Sequence, residues 1–206
     1  MKPTFFLIGL ALMAMGGCGS PIAPRETGRG DCGLFAEPAA SPYILPYGTG
    51  QTLFVGRSIE HEDPQRYAID WYAPMGTPVI AARAGRVIAI ESKRSDTDHT
   101  FGHENYVFVE HADGTVARYF HLTEGGVIVL VGQAVVQGQR LGYSGNSGNS
   151  YAPHLHFDVV RTACGGPWPG DPFNAPCQST VPIVFRNTRP QPCGIQTGEA
   201  YLAGPF

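Results

Sequence analysis

Across residues 53–160 the apolar side chains fall in short β-branched and aromatic runs, at 78–82, 85–90, 106–110, 116–121, 127–131, 140–144 and 154–160. Gly, Asp or Asn punctuates them, and no segment sustains a 3.6-residue period. That pattern predicts an all-β domain. Asp113-Gly114, flanked by apolar alternation, is a hairpin signal. The 27 Gly and 18 Pro, with few charges, suit strands and turns better than long surface helices. The net charge of −3 comes with no Lys/Arg run, which argues against a nucleic-acid groove or a polybasic membrane patch.

The first residues point to export. Lys2 precedes a nearly unbroken apolar run over 4–15, closed by Gly16-Gly17-Cys18. The run is shorter than the about 20 apolar residues of a membrane-spanning helix, so it reads as a secretion signal. Small residues directly before a Cys resemble the lipobox of bacterial lipoproteins, in which the Cys is acylated and becomes the mature N-terminus. Met15 stands where that motif usually has Leu. Gly19 follows the Cys. By resemblance to Gram-negative lipoproteins, the lack of Asp there implies a periplasm-facing outer-membrane protein, held to the membrane through Cys18.

Removing Cys18 leaves Cys32, Cys164, Cys177 and Cys193, an even set that suggests two disulfides in an exported protein. Four cysteines allow three connectivities; the pairing favoured here is Cys164–Cys177 locally, with Cys32–Cys193 tying the ends together. No C-x-x-C pair exists, which argues against a thiolate zinc knuckle or a thioredoxin-like centre. The expected organisation is a signal at 1–17, a Pro/Gly/Ala-rich tether at 18–45, a folded domain at 46–162 and a Pro/Gly/Cys-rich extension at 163–206. Residues 92–105, with Asp96, Asp98, His99, His103 and Glu104, read as a long polar loop bordering a binding site.

Chemistry concentrates at three places. In His154-Leu155-His156 the imidazoles are two apart, so on a strand they share a face, roughly 6–7 Å apart at Cβ. Leu155 and Phe157 then point the other way, into a core. His121 ends a strand in Tyr119-Phe120-His121-Leu122. Asp70 interrupts the apolar run Tyr67-Ala68-Ile69-Asp70-Trp71, and a carboxylate there is costly unless paired or bound to a cation. Its partner is either a metal or an Arg such as Arg66 or Arg83.

These features occur in a fixed order. Asp70 is followed by Gly76-Thr77-Pro78-Val79, Ala81-Ala82, Gly85 and Val87, then Tyr119-x-His121-Leu122, the glycine-rich stretch 142–148, and Pro153-His154-Leu155-His156-Phe157. In that order the chain resembles the lysostaphin/LytM-type zinc endopeptidases over about residues 53–160. The resemblance implies antiparallel sheets in a barrel-sandwich hybrid, followed by an irregular, disulfide-bearing extension. It implies a Zn²⁺ ion held by His61, Asp70 and His156, with His121 and His154 catalytic, and peptidoglycan peptides as substrate. A monomer is expected. Many members place the first ligand His four residues before the Asp, where this chain has Arg66. A branch with a Tyr-Ala-(Ile/Val)-Asp strand takes that His from an earlier loop, and His61 matches it. Trp71, Tyr72 and Tyr151 are candidate groove walls, with core packing the other reading of Trp71.

Two rival readings stand beside this one. Some relatives keep the fold, lose ligands, and activate other wall hydrolases; the retained Asp70, His121, His154 and His156 argue against that here. Residues 132–142 also resemble the hybrid motif of lipoyl and biotinyl domains, but Lys2 and Lys93 are the only lysines and neither fits a carrier site. No H-E-x-x-H helix supports a thermolysin-type site, and Gly142-Tyr143-Ser144-Gly145 lacks the spacing of a serine-hydrolase elbow.

Overall fold

The computed structural model describes residues 29–161 and 179–206. The secretion signal, Cys18, Cys164 and Cys177 lie outside the described residues. Among the described residues ten strands follow one another: β1 Thr52–Arg57, β2 Ile69–Tyr72, β3 Pro78–Ile80, β4 Gly85–Glu91, β5 Tyr106–Glu110, β6 Thr115–Phe120, β7 Ala134–Val135, β8 Arg140–Tyr143, β9 Leu155–Arg161 and β10 Ala200–Leu202. Two short 3₁₀ segments, Arg29–Leu34 and Pro38–Ala40, precede them. Eight strands form one antiparallel sheet in the order β10-β1-β2-β9-β6-β5-β4-β7, and β3 pairs with β8 in a separate ribbon. The all-β antiparallel architecture read from the sequence is present, and the large sheet stays open rather than closing into a barrel.

The β5–β6 hairpin turns at the expected dipeptide. Gly114 has φ of 76°, a conformation that suits residues without Cβ, and Asp113 Oδ1 accepts from the Thr115 N–H at 3.1 Å. Strand alternation then sorts the side chains of β6 and β9. Ala117, Tyr119, Leu155, Phe157 and Val159 enter the main core, while Val116, Phe120 and Val160 join Phe108 in a smaller cluster on the other face. Both faces are covered, so every residue of β6 is buried, and after Thr115 its sequence reads as one apolar run broken only by Arg118.

Trp71 is fully buried at the centre of the main core, with its ring centroid 5.2 Å from that of Tyr47 and edge-on to Phe185 and Tyr201. It is a core residue, not a groove wall. Its neighbours come from both ends of the chain: Tyr47 precedes β1, and Phe185 and Tyr201 lie near the C-terminus. Backbone bonds from Ile44 N to Ala82 O and from Arg186 N to Tyr43 O lock these ends onto the sheet. Cys32 and Cys193 form the disulfide expected to tie the ends, across a separation of 161 residues.

Cross-linking so long a loop restricts the unfolded chain, by the entropic account, and loss of a native disulfide costs about 2–5 kcal/mol. Cys32→Ser is therefore expected to lower the denaturant midpoint, as reductant should for the unaltered chain. Chemical unfolding with and without reductant checks this, and an unchanged midpoint would contradict it.

Candidate metal centre

The site is built on the strand pair β2–β9. Ile69 and Trp71 face the main core, so Asp70 between them is turned to the opposite face. Asp70 stands directly across from His156 in the β2–β9 register, and His156 in turn lies across from Phe120 of β6. His156 Nδ1 is 2.8 Å from Asp70 Oδ1. The loop between β1 and β2 delivers His61, whose Nε2 is 3.3 Å from Asp70 Oδ2 and whose ring packs edge-on against His156 at 5.2 Å. That loop is held from the C-terminal segment. Ser58 Oγ donates to Ile195 O at 2.7 Å, and Thr180 Oγ1 accepts from Tyr67 N–H at 2.9 Å.

One donor atom from each of His61, Asp70 and His156 lies within 4.8 Å of the others, as a metal ion would require. His61 Nε2 is buried and makes no hydrogen bond, although Asp70 is beside it. A buried imidazole nitrogen facing a carboxylate oxygen without a hydrogen bond between them is costly unless a cation bridges the two. Two imidazole nitrogens and one carboxylate oxygen match the donor set of catalytic zinc centres. Arg83 is committed elsewhere, to Asp113 at 2.7 Å. Burial alone would raise the Asp70 carboxyl; the hydrogen bond from His156 and the proximity of His61 outweigh it and hold the group well below the usual carboxylate range. His156 is likewise opposed by burial, but its contacts to Asp158 and Asp70 push it up to about 9.

His121 and His154 stand beside this group. Their ring centroids are 4.4 Å apart, and His154 Nε2 is 3.8 Å from Asp70 Oδ1. His121 Nδ1 lies 2.8 Å from Ser147 O, and His154 Nδ1 lies 2.8 Å from Ala152 O. A carbonyl only accepts, so each Nδ1 carries its proton and each neutral ring keeps an unprotonated Nε2. Burial pushes both rings down, helped at His121 by the neighbouring His154 and His156, and His121 reaches about 3. Both are neutral at neutral pH. His121 also has φ of 60°, the one described non-glycine residue in left-handed conformation, and strain of this kind, about 1–3 kcal/mol, gathers at functional sites. His111 is elsewhere, buried with Nδ1 2.9 Å from Ala84 O, and His103 pairs with Asp98 at 2.7 Å.

The polar loop 92–105 and the glycine-rich stretch form the scaffold of these two histidines. Asp96 Oδ1 accepts from Asn146 N–H at 2.7 Å, while Oδ2 accepts from Thr123 Oγ1 at 2.5 Å. Asn105 N–H donates to Ser147 Oγ at 2.9 Å, and its side chain donates to Leu122 O at 3.0 Å. Ser147 O is the acceptor for His121. The loop 92–105 with Asp96 is expected from the sequence to border a site, but the anchoring roles of Asp96, Asn105 and Ser147 are not legible there, because polar loop residues carry no periodicity. Arg118 and Asp158 were also missed, although a charge inside an apolar run is the signal that singled out Asp70. The cleft itself, about 390 Å³, brings Tyr72, Phe101 and Tyr151 around the histidines, with the Tyr151 side chain fully exposed.

Gly145 must be glycine for this arrangement. A Cβ there would lie 2.4 Å from Asp96 Oδ1 and from the Thr123 backbone. Gly145→Ala is expected to cost about 1–3 kcal/mol by overpacking and to shift the His121 ring resonances as Ser147 moves. Denaturant unfolding and imidazole NMR read the two effects; an unmoved His121 spectrum would contradict the scaffold role.

The model of peptidase family M23 matches residues 64–174, more than half of the chain; Asp70, His121, His154 and His156 fall inside that stretch and His61 just before it. The peptidoglycan DD-endopeptidase ShyA of Vibrio cholerae is 35% identical over 113 residues, 55% of this chain and 24% of that protein. Lysostaphin of Staphylococcus simulans is 34% identical over 108 residues, 52% of this chain and 20% of that protein. The chain thus matches about a quarter or less of these curated relatives' length. The solved structure of lysostaphin from the same organism aligns with TM-score 0.45 and 29% identity, covering 60% of this chain and 48% of that one. With more than half its length matched by that family model, the chain belongs to peptidase family M23.

Proposed function

We propose that this chain is an exported zinc-dependent endopeptidase that hydrolyses peptide cross-links of bacterial peptidoglycan. The observation that carries the reading is the convergence of His61, Asp70 and His156 beside two neutral histidines with bare Nε2 atoms. Membership of family M23 supports peptide hydrolysis. The printed name of ShyA, a peptidoglycan DD-endopeptidase, favours a D,D cross-link as the bond cut.

In this reading His61, Asp70 and His156 hold the ion, the three-ligand number of catalytic zinc centres. A bound zinc ion supplies Lewis-acid polarisation of an oxygen and makes water more acidic at neutral pH. His121 and His154 handle the protons at Nε2, taking one from the attacking water and returning one to the leaving amine. Their Nδ1–H bonds to Ser147 O and Ala152 O keep the rings oriented through both transfers. Tyr72, Phe101 and Tyr151 wall the cleft, where an extended peptide lies against them and displaces water. Acylation of Cys18 anchors the chain at the membrane surface.

The purified protein is expected to take up about one zinc and to release fragments from peptidoglycan, with chelation abolishing release; mass spectrometry of defined muropeptides identifies the bond. His156→Ala should lose the metal. His121→Ala should keep it while turnover falls about 10²–10⁴-fold, the range of general acid–base catalysis. Zinc-loaded protein that is inert on every wall type would remove the enzyme reading, and a fully active His121→Ala would remove that residue's role. Labelled fatty acid should enter the protein and be absent from Cys18→Ala; label retained in that variant would refute the anchor.

A further inference from the structure

One buried charge pair shares the sheet face of the metal centre without belonging to it. Arg118 of β6 and Asp158 of β9 are cross-strand partners, 2% and 0% exposed. Arg118 Nε donates to Asp158 Oδ1 at 2.7 Å, and its Nη2 donates to Oδ2 at 2.6 Å. On this face Val116, Phe120 and Val160 alternate with them along the two strands, and His156 precedes Asp158. A buried ion pair of this kind gains little or nothing over well-packed apolar side chains of the same volume, so fold stability does not by itself account for it.

Its third contact suggests what it does. Asp158 Oδ2 is 3.4 Å from Nε2 of His156, the ring whose Nδ1 faces Asp70 at 2.8 Å. The two-pronged Arg118 bond fixes the plane of the carboxylate, and His156 approaches the same Oδ2 that Arg118 Nη2 meets. We propose that Asp158, held by Arg118, is a positioning residue for the metal: it accepts the Nε2–H of His156, fixing the ring's orientation and reserving Nδ1 for the ion. This rests on the reading of His156 as a ligand. Carboxylates in such a position typically contribute 10–100-fold to metal affinity.

The test is zinc affinity, measured by chelator competition on the full chain, for Asp158→Asn and His156→Ala, with unfolding of the metal-free proteins as the folding control. Asp158→Asn keeps the shape and an acceptor for Arg118 but loses the charge. The expected result is a folded Asp158→Asn with zinc bound 10–100-fold more weakly. Nitrogen-15 NMR of the unaltered, metal-loaded protein needs no variant and decides the matter if Asp158→Asn does not fold. It should show His156 protonated at Nε2 and metal-bound through Nδ1, and a ring bound through Nε2 would overturn the proposal. If His156→Ala loses zinc while folded Asp158→Asn binds it as tightly as the unaltered chain, only the positioning role fails. If His156→Ala itself keeps zinc at full affinity, the ligand reading fails first.

Discussion

The site depends on a single cross-strand pair. Asp70 and His156 are 86 residues apart in sequence, yet they face each other across β2 and β9 with 2.8 Å between their polar atoms. Their neighbours Ile69, Trp71, Leu155 and Phe157 fill the main core from the opposite face. A one-residue slip of either strand would send a carboxylate or an imidazole into that core and an apolar side chain to the cleft. Burial of Trp71 and Phe157 therefore holds the register that makes the ligand pair, and core stability and site geometry are one constraint.

Around that pair the molecule gathers charge where it can be shared. Asp70, His156, Asp158 and Arg118 alternate in sign along one sheet face, each within hydrogen-bond reach of the next. His121 and His154 are treated differently. Their Nδ1 atoms meet backbone carbonyls, and burial pushes both rings down while His156 is pushed up. The same residue type thus serves two purposes, separated by what its Nδ1 and Nε2 atoms meet.

Much of this is legible in the sequence. The short runs and the absence of helical period announced an all-β fold, and Asp113-Gly114 marked a turn the structure makes. His154 and His156 share a face because strands have period two, and an Asp among apolar residues had to have a partner. Other features were hidden for physical reasons. Trp71 beside Asp70 read equally well as groove wall or core, because alternation shows that two faces differ but not which is covered. Asp96, Asn105 and Ser147 act through loop hydrogen bonds that follow no repeat.

The sequence by itself determined which side chains share a strand face, where the chain turns, and that one carboxylate needed a metal or an Arg beside it. These are consequences of local backbone geometry and of the cost of burying charge. Only the tertiary structure decided that the β1–β2 loop brings His61 to Asp70, that Cys32 meets Cys193, and that Arg118 and Asp158 stand behind His156. Those meetings are set by long-range strand order and packing of the chain's two ends, which no local pattern encodes.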